Sequence, residues 1–108
     1  PPQIKENITL EIDDLSLNLA SHQLSCNHNS LLLTPKEFHL IQIFLSSPGT
    51  IFSREQLLQK VWNTNDEVEP GNVDNYIYFL RKRLKSLNSN CCINSVYGSG
   101  YSLEVKHD

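Results

Sequence analysis

Residues 71–88, GNVDNYIYFLRKRLKSLN, hold the pattern that decides how the chain folds. Val73, Ile77, Leu80, Leu84 and Leu87 recur at intervals of four and three, which lines them up on one side of an α-helix. Asn75, Tyr78, Phe79 and Lys82 fall on the opposite side, and Arg81, Lys82, Arg83 and Lys85 crowd the last turns. Pro70-Gly71-Asn72 interrupts the preceding segment, and Asn72 is placed to cap the first turn. Such a helix has one face to bury and one that is basic, aromatic and amide-bearing. The second face suits the major groove of duplex DNA, which is wide enough to admit a helix. Cations near a C-terminus also answer the helix dipole, so a solvated basic end is the plain alternative.

The rest of the composition sets bounds. A length of 108 residues fits one domain with a modest core. Hydrophobic content of 39% and charged content of 19% are those of a globular chain, not a disordered one. No apolar run approaches the roughly 20 residues that span a bilayer, and no signal-peptide pattern is visible. There is no Met, so the numbering does not begin at an initiator. Residues 1–7, opening Pro1-Pro2-Gln3, read as the remnant of a linker ahead of a domain over 8–106.

Net charge is −3, which taken alone argues against a nucleic-acid partner. The charge is unevenly spread, however. Residues 71–88 set four cations against Asp74, whereas residues 1–20 set Lys5 against Glu6, Glu11, Asp13 and Asp14. A basic face matters more to DNA than a basic total. Cys26, Cys91 and Cys92 are odd in number and lack paired metal spacing, so buried free thiols in a reducing cytosol are expected. No metal or other cofactor is expected.

Ile8, Leu10 and Ile12, then Leu15, Leu17 and Leu19, alternate with polar residues around an Asp13-Asp14 turn, which predicts a hairpin. Gln23 to Cys26 and Ser30 to Leu33 predict two further short strands. Thr34-Pro35-Lys36-Glu37 and Ser53-Arg54-Glu55-Gln56 are capping boxes that open two helices. Phe38, Leu40, Ile41, Phe44 and Leu45 line the first helix, while Leu57, Leu58, Val61 and Trp62 line the second. Ile51-Phe52 is long enough only for one bridging strand, and residues 63–70, NTNDEVEP, read as an acidic loop. After the basic helix come a strand from Cys91 to Val96, the turn Tyr97-Gly98-Ser99-Gly100, and a returning strand with Tyr101, Leu103 and Val105 inward. Gly98 and Gly100 fit either a tight turn or a tip that must approach another backbone closely. The predicted class is α+β: a winged helix-turn-helix with an N-terminal four-stranded antiparallel sheet, three helices and a C-terminal β-hairpin wing.

The residues themselves then resemble a family. Leu33-Thr34-Pro35-Lys36-Glu37-Phe38, Ser53-Arg54-Glu55-Gln56-Leu57-Leu58 with Val61-Trp62, Val73-Asp74 and Val96-Tyr97-Gly98-Ser99-Gly100-Tyr101 resemble the output domain of OmpR/PhoB-type two-component response regulators. The resemblance covers nearly the whole chain. It implies sequence-specific binding of double-stranded DNA at tandem or inverted half-sites, with the third helix in the major groove and the wing on the flanking backbone or minor groove. It also implies a homodimer formed through an N-terminal receiver domain, no membrane, a cytoplasmic setting, and contact with RNA polymerase through Asn63, Asp66, Glu67 and Glu69 of the loop. The DNA-binding set it implies is Asn72, Asp74, Asn75, Tyr76, Tyr78, Phe79, Arg81, Lys82, Lys85, Tyr97 and Ser99, with Arg81 as a guanine reader. Where the family is rich in arginine after the Val-Asp pair, this chain has Asn75, Tyr76, Tyr78 and Phe79; the wing position usually held by arginine is Tyr97. That drift resembles atypical members that act without phosphorylation. Phe79 is expected either at the core edge or against a thymine methyl.

Two rival functions are weaker. His22, His28, His39 and His107 are scattered, and no triad or carboxylate pair is brought together, so an enzyme is not expected. An acidic total and aromatic residues on the third helix would also suit a protein partner.

Overall fold

The computed structural model describes residues 8–62 and 71–106. The linker 1–7 and the loop 63–70, with Asn63, Asp66, Glu67 and Glu69, lie outside the described residues. Strands β1 (Thr9–Ile12), β2 (Leu15–Asn18), β3 (Gln23–Cys26) and β4 (Asn29–Leu32) form an antiparallel sheet in chain order. Leu10, Leu17, Leu24 and Leu31 stand opposite one another across it, a row directed at the helices, while Glu11, Ser16, Ser25 and Ser30 form a polar row on the other face. β4 begins one residue earlier than expected because Cys26 pairs with Asn29 and the loop holds only Asn27 and His28. Asp13 and Asn27 enter these tight turns at φ of 56° and 57°, a region that Asp and Asn tolerate.

Helix α1 (Pro35–Ser46) follows, packed against β1, the other two helices and the C-terminal hairpin. Its capping box forms as predicted: the Thr34 hydroxyl accepts from the Glu37 amide, and the Glu37 carboxylate accepts from the Thr34 amide at 3.0 Å. Phe38, Leu40, Ile41, Phe44 and Leu45 are all buried, and the Phe44 ring meets Phe52 edge-on at 5.8 Å. Helix α2 (Arg54–Val61) has the second box, with the Gln56 side chain accepting from the Ser53 amide at 2.8 Å. Leu57, Val61 and Trp62 are buried, and Leu58 is partly so.

Helix α3 (Gly71–Ser86) buries Val73, Ile77, Leu80 and Leu84, with Leu87 just beyond it. It starts one residue before the expected cap, so Asn72 is the second helical residue and not the cap. Its end is closed by a double lock. The Asn88 amide donates to the Lys85 carbonyl and the Ser89 amide to the Leu84 carbonyl, with Asn88 at φ 57°. Strands β5 (Cys91–Val96) and β6 (Gly100–Val105) make the closing hairpin, and Phe52 bridges to Tyr101 by two backbone hydrogen bonds of 2.8 and 2.9 Å.

The acidic turn between β1 and β2 acquires a partner that periodicity does not reveal. Asp14 accepts from the Ser89 hydroxyl at 2.8 Å and the Asn90 amide at 2.9 Å, which ties the first hairpin to the root of the last. Cys26 and Cys91 are buried and free; burial pushes the Cys91 thiol up to about 11, so it is not a thiolate at neutral pH. Cys92 departs from expectation: it alternates outward from Cys91 and Ile93 and is only partly buried.

Candidate nucleic-acid interface

At 100° per residue, the side chains of α3 divide into a core strip, two flanks and an outward strip. The outward strip holds Asn75, Tyr78, Phe79 and Lys82, all exposed. Tyr78 and Phe79 keep 56% and 44% of their surface open, with ring centroids 5.9 Å apart. The Lys82 ammonium lies 5.4 Å from the Tyr78 ring. Lys85 is exposed nearer one flank, and neither lysine is in a salt bridge among the described residues.

One flank faces the hairpin. Asp74 accepts from Arg54 Nε at 2.8 Å and from the Tyr101 hydroxyl, joining α3 to α2 and to β6. Two turns on, Arg81 donates from Nε to the Ile93 carbonyl and from Nη2 to Ser95 Oγ, both at 2.9 Å. The Arg81 and Arg54 guanidinium carbons stand 5.6 and 5.9 Å from the Tyr101 ring centroid. Burial alone would raise the Asp74 carboxyl; the Tyr101 hydroxyl and the Arg54 guanidinium outweigh it and hold it below its ordinary 3.8.

A carboxyl depressed in the folded state adds stability above its unfolded pKa and forfeits it as pH falls through the folded value. Urea unfolding of Asp74→Asn should therefore show a shallower loss of stability below about pH 4 than the unaltered chain. The loss should not vanish, because Asp14 is also lowered: burial raises it, but the Asn90 amide and Ser89 hydroxyl prevail. Acid limbs that superimpose would mean that Asp74 titrates alike folded and unfolded.

The other flank faces α1. Glu37, 3% exposed, accepts from Arg83 Nε at 3.4 Å as well as from the Thr34 amide. The Tyr76 ring stands edge-on to the buried Trp62 at 5.3 Å and to Phe79 at 5.8 Å. At the hairpin tip, Tyr97 is fully exposed, with Gly98 and Ser99 open beside it. No group of three His, Cys, Asp or Glu among the described residues could hold a metal ion.

A helix with a buried stripe, a polar outward strip and a hairpin locked to its flank is the geometry of a winged helix. Residues 28–103 match the family model described as "Transcriptional regulatory protein, C terminal". The chain belongs to that family. The heme response regulator HssR of Staphylococcus aureus (strain JH9) is 37% identical over 101 residues, which cover 94% of this chain and 45% of HssR. The chain thus spans less than half the length of this curated relative. The DNA-binding domain of E. coli CadC superposes with a TM-score of 0.81 at 27% identity, covering 95% of this chain and 96% of that one. The DNA-binding domain of Bacillus subtilis CssR gives a TM-score of 0.74 at 26% identity, covering 83% and 99%. The OmpR/PhoB-type identity and winged-helix class expected from the sequence both hold. The family is one of transcriptional regulators and not of enzymes.

Within this member of the family, the implied site residues do not all gather on one surface. Asn75, Tyr78, Phe79 and Lys82 share the outward strip, with Asn72 exposed in the first turn and Lys85 near the end. Tyr97 and Ser99 are at the wing tip. Asp74 and Arg81 are turned to the hairpin and Tyr76 to Trp62. Two donors of the Arg81 fork are in use on β5, so reading guanine bidentately with them would require leaving that strand. Sequence reasoning missed Arg54 and Tyr101 as the residues that fix α2, α3 and the wing together. A signal existed for the first: a cation in the opening turn of a helix opposes the dipole and needs another partner, here Asp74.

Proposed function

We propose that this domain binds double-stranded DNA sequence-specifically as the output module of a two-component-type transcriptional regulator. The third helix enters the major groove and the hairpin tip rests on the flanking backbone or minor groove. The observation that supports this most is the exposure of Asn75, Tyr78 and Lys82 on a helix whose opposite side is wholly buried, beside a hairpin with an open tip. Asn75 offers an amide for adenine, the Tyr78 and Tyr97 hydroxyls and the Ser99 hydroxyl offer donors to phosphate, and Lys82 and Lys85 supply charge. Arg54, Arg81 and Arg83 are engaged within the domain, which leaves few cations to neutralise phosphates. Two copies on tandem or inverted half-sites would compensate by joining two modest contacts.

Duplex titrations at several salt concentrations test the proposal. Affinity should fall as salt rises, and Lys82→Ala should weaken binding to all sequences alike and lower the log–log salt slope by about one. An unchanged slope removes Lys82 from the phosphate contacts. A second reading, a module that binds protein, draws on the exposed Tyr78 and Phe79 rings; under it the domain leaves duplex unbound even at low salt.

A further inference from the structure

Resting on the DNA-binding reading above, we infer that the outward strip of α3 selects A·T pairs by covering thymine methyl groups with the rings of Phe79 and Tyr78. These two are among the few large apolar side chains left open on the domain, and they lie side by side. They are also held. Phe79 stands edge-on to Tyr76, which stands edge-on to Trp62 at the rim of the core, so a line of rings runs from the interior to the surface. Rings supported in this way have little freedom left to lose on binding.

The neighbouring side chains favour the same base pair. Asn75 lies three and four residues before Tyr78 and Phe79, on the same strip, and its amide matches the adenine edge that pairs with thymine. Guanine is read chiefly by arginine or lysine, and the strip holds no arginine. Its one cation, Lys82, sits by the Tyr78 ring, and Lys85 adds positive charge toward the flanking phosphates. Among the base edges of the major groove, the apolar feature that rings can cover is the thymine C5-methyl.

The test begins by selecting duplexes bound by the chain from a random-sequence pool. Each thymine of the enriched core is then replaced by deoxyuridine, which removes the methyl and leaves base pairing intact. The enriched core should be A·T-rich, and the unaltered chain should bind about fourfold more weakly for each contacted methyl removed. Phe79→Ala and Tyr78→Ala should each keep only part of the thymine–uracil difference, and the double variant should bind the two duplexes alike. Equal affinity of the unaltered chain for the two duplexes overturns the methyl inference while DNA binding stands. A pool that yields no bound duplex at low salt overturns both and gives the face to a protein partner. The decisive comparison uses the unaltered chain, so no variant's folding enters it.

Discussion

Gly100→Ala is expected to cost about 3–4 kcal/mol of folding stability, more than any substitution at the wing tip. A Cβ at this position would lie 2.0 Å from the Phe52 carbonyl oxygen, 2.7 Å from its carbon and 2.8 Å from Ser53 Cα, all backbone atoms that no rotamer change can clear. Relief requires parting the Phe52–Tyr101 bridge and its two hydrogen bonds, each contributing about 1 kcal/mol net. Residue 100 also sits at φ 138°, which costs a side-chain-bearing residue on the order of 1–3 kcal/mol. Gly98→Ala is the control: at φ 76° with nothing within 4 Å of its Cβ, it should cost only about 1 kcal/mol. Urea midpoints at constant slope measure both. Equal losses would show that Gly100 is needed for its dihedral angle and not for the approach to Phe52.

Leu80→Ala should remove about 2–5 kcal/mol, because Leu80 is fully buried midway along α3 and its loss leaves a cavity where the helix meets its neighbours. Its partner experiment is Asn75→Ala, on the outward strip, which should leave stability within about 0.5 kcal/mol while weakening DNA binding. Thermal or urea unfolding read beside duplex titration separates the two faces. If Asn75→Ala destabilised as much as Leu80→Ala, the outward strip would be part of the packing.

Much of this architecture was legible in the chain because its signals are local. Alternation in Leu15–Leu17 and Leu24–Cys26, the two capping boxes, and the four-and-three spacing from Val73 to Leu87 each need only nearby residues, and each appears where expected. The outward strip was legible for the same reason: helical period dictates which residues share a face. It does not dictate what each flank meets. Asp74 finds Tyr101 across 27 residues and Arg54 across 20, and Arg81 finds Ile93 across 12. Those pairings depend on how the hairpin docks, so counting along the helix does not show that Asp74 and Arg81 brace α3 against its neighbours. Glu37 is similar: the capping box accounts for one of its oxygens, but only the packing of α3 on α1 supplies Arg83 for the other. Asn72 shows the smaller limit: expected as the cap, it is the second residue of the helix.

Pinning the hairpin just below its tip, where Gly100 meets Phe52, leaves the loop beyond as a detachable fingertip. Tyr97 to Ser99 are exposed and nothing lies within 4 Å of a Cβ at Gly98, so exchanges there should reach the scaffold far less than exchanges at Gly100. Reach along a target is thereby uncoupled from folding, and one rigid body can carry interchangeable tips.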